Sequence, residues 1–170
     1  MVMDRQGLPM SGATGASAAC YDEAVAAFNL YRGDPLAPLD AAMAEAPRHV
    51  MAAIAKATLM ALATEPAATA QAQKNNDRAK VMATDERERS HMAVLGLLLR
   101  GDWVRAATAM DIHNARWPRD LLALQAGHLM DFFRGNARDL RDRVARAMPA
   151  WSPEGPGHGS TSLIFRADRR

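Results

Sequence analysis

The sequence predicts an all-α fold: a right-handed α-solenoid of antiparallel helical hairpins, about eight helices in all. Three observations predict it. Apolar residues recur at three- and four-residue spacing along most of the chain, and no segment before the tail alternates with the period of two expected of a half-buried strand. Gly101 and Gly135, 34 residues apart, each close one dense apolar segment and open another, which is the period of a stacked helix–turn–helix unit. Much of the hydrophobic content of 49% is Ala, with aromatics at 5%, a mixture that suits helices in close approach.

Each element follows from local signals. Residues 1–15, rich in Gly, Ser and Met, read as a flexible, extended leader, and residues 16–150 as the repeat domain. Ser17 is the expected cap of a first helix that carries Tyr21, Ala24, Val25 and Phe28 and stops at Gly33. Asp34-Pro35 starts a short second helix holding Leu36, Leu39 and Met43, since proline is tolerated where no partner awaits its missing N–H. A third helix is expected from His49 to about Ala63. A fourth, from about Pro66 to 83, has high helix propensity that Asn75-Asn76 could break.

Asp85 and Glu88 fit a capping box for a fifth helix, Glu86 to Arg100, with acids in the turn where the helix dipole favours them. The sixth runs from about Asp102 to Ala115, the seventh from Arg119 to Arg134 and the eighth from Asn136 to Met148. Residues 151–170 have no repeat pattern and read as an irregular tail, apparently truncated.

The unit opening at Gly101 places Trp103 where such repeats carry an aromatic, Ala106 where they carry a small residue and Pro118 where a proline closes the unit. Gly135 starts the next unit, with Ala137 in the aromatic place. The segments GLPMS, ALATEP, RERSHMAVLGLLLRGDW, WPRDLLALQAGHLMDFFRGN and RDRVARAMPAWSPEGPGHG together resemble the tetratricopeptide repeat protein 38 group over roughly residues 7–159. That resemblance implies an α-helical repeat array. It also implies further hairpins after Gly159 in longer relatives, so that a half-solenoid would expose an apolar end near Leu140 and Val144.

Composition narrows the function. The net charge of +2 arises from interspersed acids and bases, which describes a solvated helical surface rather than a nucleic-acid footprint. Arg138, Arg141, Arg143 and Arg146 form the most basic stretch, but Asp139 and Asp142 interrupt it. Cys20 is the single cysteine, which excludes an internal disulfide and suits a reducing, cytoplasmic setting. No apolar run reaches the length of a membrane span.

Among the histidines, His91 and His128 lie on the first helices of successive hairpins and are the candidate groove residues, with Asp131 one turn from His128. The resemblance implies histidine at both positions. They read either as polar contacts for a ligand or as partly buried, hydrogen-bonded side chains. His49 and His113 are expected at the surface, and Asp120 as a first-turn acid of the seventh helix. Trp103, Trp117 and Trp151 are expected to pack between repeats, and Gly155 to Gly159 to act as a linker.

No catalytic set, cofactor motif or local metal motif is complete. The expected function is a non-catalytic scaffold that binds a protein or peptide, with self-association through the exposed end as a further mode. The alternative is a small-molecule or enzymatic domain using the groove histidines.

Overall fold

The computed structural model describes residues 1–83 and 85–151. It is all-α apart from one small hairpin. Eight helices follow in order: α1 (Gly15–Leu30), α2 (Leu36–Glu45), α3 (Val50–Leu62), α4 (Pro66–Lys80), α5 (Glu86–Leu99), α6 (Trp103–Arg116), α7 (Leu121–Phe133) and α8 (Ala137–Ala147). Consecutive helices pack as pairs, α1 on α2, α3 on α4, α5 on α6 and α7 on α8.

Capping chemistry sets most boundaries. Thr14, rather than Ser17, caps α1; Ser17 is the reciprocal member of that capping box. Asp85 and Glu88 form the capping box of α5. Asn75-Asn76 does not break α4: Asn75 donates to the Gln71 carbonyl, and Asn76 is buried within the helix.

The two glycine junctions are built alike. Gly101 (φ 76°) and Gly135 (φ 67°) adopt the left-handed conformation that costs glycine least. In each, the next amide reaches back across the helix end: Asp102 N–H donates to Leu97 and Asn136 N–H to Asp131. Asp102 and Asn136 then cap α6 and α8.

Two findings depart from the sequence expectations. The segment read as a free leader folds onto the helices. Val2–Met3 (β1) pairs antiparallel with Pro9–Met10 (β2), so a two-stranded element does precede the tail. Asp4 and Met10 are buried, and the Val50 amide donates to the Ser11 carbonyl. The physical reason is that Asp4 meets a buried arginine that only the tertiary fold provides.

Secondly, α7 touches α1 and α3, and Gln125 donates to the Tyr31 hydroxyl at 2.7 Å. A stack whose units meet only their neighbours has no such contacts. The odd-numbered helices therefore gather toward a shared interior. One core cluster joins Tyr21, Leu39, Ile54, Leu121 and Val144, and a second joins Ala57, Leu95, Ala106, Met110 and Ala126. The expected exposed end is covered at Val144, which is buried beside Leu121 and Leu122 with Trp151 packed against the same cluster. The expectations for Gly155 to Gly159 and for the tail beyond Trp151 lie outside the described residues.

Candidate functional site

The most concentrated polar chemistry lies where the starts of α5 and α7 meet the end of α6. Asp120, the N-cap of α7, uses Oδ1 to accept from the Ala123 amide at 3.1 Å. Its other oxygen, Oδ2, faces three side chains: His91 Nε2 at 2.8 Å, His113 Nε2 at 3.3 Å and Arg87 Nη1 at 3.3 Å. Arg87 also donates to Asp4 Oδ2 at 3.0 Å and to the Pro9 carbonyl at 3.0 Å. Asp4 Oδ1 in turn accepts from the amides of Gln6 and Leu8, which folds the N-terminal turn around the guanidinium. Glu88, also buried, accepts from the Ser11 amide at 2.8 Å.

Burial and charge set the protonation of this centre. Burial alone raises a carboxyl, but His91, Arg87 and the hydrogen bonds from both histidines hold Asp120 well below the usual range. Burial lowers His91 to about 4 despite the neighbouring Asp120. The imidazole of His91 is thus neutral near pH 7 and donates from Nε2. In the His113 tautomer that does the same, Nδ1 accepts from the Ser90 hydroxyl, 2.8 Å away. Arg87 stays protonated: burial opposes its charge, and Asp120, Tyr21 and Asp4 outweigh that. Burial leaves Asp4 raised, with Arg87 opposing the shift.

His91, His113 and Asp120 present donor atoms that all lie within 4.8 Å of one another, a set that could hold a metal ion. Burial of all three closes the centre to bulk substrate. The two histidines expected at the surface are therefore interior. His113 sits under Trp117, with ring centroids 4.7 Å apart. His49 lies beneath the folded leader, its Nε2 3.3 Å from Met10 sulfur and its ring 5.7 Å from Tyr21. Asp120, expected as a simple first-turn acid, caps α7 and also organises the centre.

Of the candidate groove residues, His128 lies within electrostatic reach of Asp131. His91 belongs to the Asp120 centre, whereas His128 is half-buried with Nδ1 unpartnered. Asp131 makes its short contact with Arg143 Nε, at 2.8 Å, and a longer one with Arg134. Arg143 is thus not part of a solvated basic face. It is buried across α6, α7 and α8, donates to the Ala107 carbonyl, and lies flat against Gly127. A Cβ at Gly127 would stand 2.7 Å from the Arg143 guanidinium carbon.

A second feature is an apolar groove of about 420 Å³ at the ends of α1, α3 and α7 and the starts of α2 and α4. Phe28, Leu36, Leu59, Leu62, Leu129 and Phe133 line it, with Asp34 and Glu65 its charged lining residues among those described. Trp103 packs edge-on against Phe133 at 5.9 Å, Ala106 is fully buried, and the Pro118 carbonyl accepts from Trp151 Nε1.

Sequence spacing carried a signal for the missed residues. Arg87, His91, Leu95 and Leu98 form one stripe of α5, and Ala106, Met110 and His113 one stripe of α6. No protein-family profile matches the chain, and no solved structure matches it. No described helix is long and apolar enough to cross a membrane.

Proposed function

We propose that this protein is a non-catalytic helical-repeat scaffold that holds an apolar segment of another protein, of the kind its resemblance to the tetratricopeptide repeat protein 38 group implies. The observation that carries the reading is the apolar groove between α1, α3 and α7, beside the exposed Phe132 and Phe133. Large apolar side chains left contiguous at a surface mark protein or membrane interaction sites, ligand-binding grooves or aggregation-prone surfaces. The paired glycine junctions at Gly101 and Gly135 support the repeat-array, tetratricopeptide-like part of the reading. Asp34 and Glu65 favour a partner whose apolar residues are flanked by Lys or Arg. A single cysteine suits work in the cytoplasm.

The test is a library of amphipathic peptides with basic flanks, screened by fluorescence anisotropy against the wild type and Phe133→Asp. Phe133 is half exposed, so that variant keeps its fold. Saturable binding that weakens at least tenfold in Phe133→Asp is expected. Binding indifferent to Phe133, or no saturable peptide across the library, removes the reading.

A further inference from the structure

We propose that His91, His113 and Asp120 form a site for one divalent first-row transition ion, Zn²⁺ foremost. This goes beyond the scaffold reading and does not depend on it. The donor set is two imidazole nitrogens and one carboxylate oxygen, the mixture such ions take from proteins. The three residues come from α5, from α6 and from the N-cap of α7, so packed helix ends fix their positions.

Spacing agrees with the chemistry. Two ligand atoms on a tetrahedral ion with bonds of about 2.0–2.1 Å lie about 3.4 Å apart. The two histidine nitrogens stand 2.8 and 3.3 Å from Asp120 Oδ2 and all three donor atoms lie within 4.8 Å of one another, so small adjustments of the imidazole rings bring them onto one ion.

An outer shell is also in place. If the His113 proton moves from Nε2 to Nδ1, it points at the Ser90 hydroxyl 2.8 Å away and Nε2 is freed to bind; His91 binds in the same way, with its proton carried on Nδ1 in place of Nε2. The Ala123 amide holds the Asp120 carboxylate through Oδ1, the oxygen turned away from the histidines. Arg87 Nη1 also stands 3.3 Å from Asp120 Oδ2, so an ion there shares that carboxylate with the guanidinium, which Asp4 and the Pro9 carbonyl hold on its other side.

Because the centre is buried, the ion enters as the chain folds. The full chain is therefore refolded with a chelator, with Zn²⁺ or with Co²⁺, desalted, and assayed for bound metal and for the visible Co²⁺ spectrum. His91→Gln and His113→Gln keep an N–H that can donate to Asp120 while removing the imidazole, and His128→Gln is the control outside the set.

The wild type and His128→Gln are expected to retain one equivalent, with the intense bands of low-coordinate Co²⁺. Each ligand variant is expected to retain less than a tenth of that. Wild-type protein that retains no metal overturns the proposal, as does retention unchanged in both ligand variants, or a weak octahedral Co²⁺ spectrum. Should a ligand variant fail to fold, the wild-type stoichiometry and spectrum decide the matter alone.

Discussion

Replacing Asp120 by Asn tests whether the buried centre holds the fold together. The carboxylate accepts four hydrogen bonds, from the Ala123 amide, His91, His113 and Arg87. An amide cannot reproduce that set. With its NH₂ in place of Oδ2 it faces three N–H donors; with its NH₂ in place of Oδ1 it faces the amide it should cap. In either orientation Arg87 keeps Asp4 as its one charged partner at hydrogen-bonding distance. Removing one partner of a buried ion pair costs about 3–5 kcal/mol, because the other charge stays buried. Loss of the cap, about 1 kcal/mol by itself, falls within that range.

A domain of this size has about 5–15 kcal/mol of stability in total, so Asp120→Asn removes a large share of it. With a urea slope of about 2 kcal/mol per molar, the midpoint should fall by roughly 2 M. The assay is urea unfolding followed by far-UV circular dichroism and tryptophan fluorescence, with chelator throughout so that no ion contributes. A loss below about 1 kcal/mol at unchanged slope would refute the reasoning, since the four hydrogen bonds would then be replaceable.

Three further substitutions or conditions probe other parts of the fold. Gly127→Ala should destabilise by about 1–3 kcal/mol, because its Cβ would press on the Arg143 guanidinium; the propensity gain of about 1 kcal/mol works the other way, so a net rise in the urea midpoint would contradict the packing. Asp85→Ala should cost about 1 kcal/mol by removing the capping box of α5, and an unchanged melting temperature would show the cap to be idle.

Stability should also fall in mild acid through His49. Burial, reinforced by the charge of Arg87, lowers His49 to about 4, so the unfolded chain binds the proton more readily. The contribution is complete above the ordinary histidine value of about 6.5 and is lost as pH drops from there to about 4, on the order of 3 kcal/mol in all. In His49→Gln the stability difference between pH 7 and pH 4.5 should shrink, and an unchanged difference would rule out that residue as the source.

The helices were legible because their signals are local. Asp85 with Glu88, Asp34-Pro35, Gly101 and Gly135 are each read within one turn of chain, and the observed ends fall within a few residues of them. The buried centre was not legible, because its members are far apart in sequence and each has an ordinary local role. Asp120 is a good N-cap whatever surrounds it. His113 looks like a basic residue suited to the last turn of a helix, and only its place on the Ala106–Met110 stripe hints that it points inward. Asp4 carries no periodic signal at all; its burial follows from Arg87, 83 residues away. The contact of α7 with α1 escaped for a related reason, since repeat spacing describes neighbours and says nothing of closure.

The two features of this molecule lie at opposite ends of the same helices. Asp120 caps the start of α7, while Leu129 and Phe133 line the groove at its end. His49 lies at the start of α3 and Leu59 to Ala63 at its end. Each of these 13-residue helices spans about 20 Å. Between the ends, α3 buries Met51 and Ile54 beside Ala52, Ala53 and Ala57, and α7 buries Leu122, Leu124 and Met130 beside Ala123 and Ala126. Directional hydrogen bonds at Asp120, Arg87 and Asp4 add to the orientation this packing gives at the start of α7. A helix whose start is fixed in angle has its far end fixed as well, because the intervening backbone ladder is stiff. The polar centre and the groove thus share α7, with Asp120 capping its start and Leu129 and Phe133 lining the groove at its end.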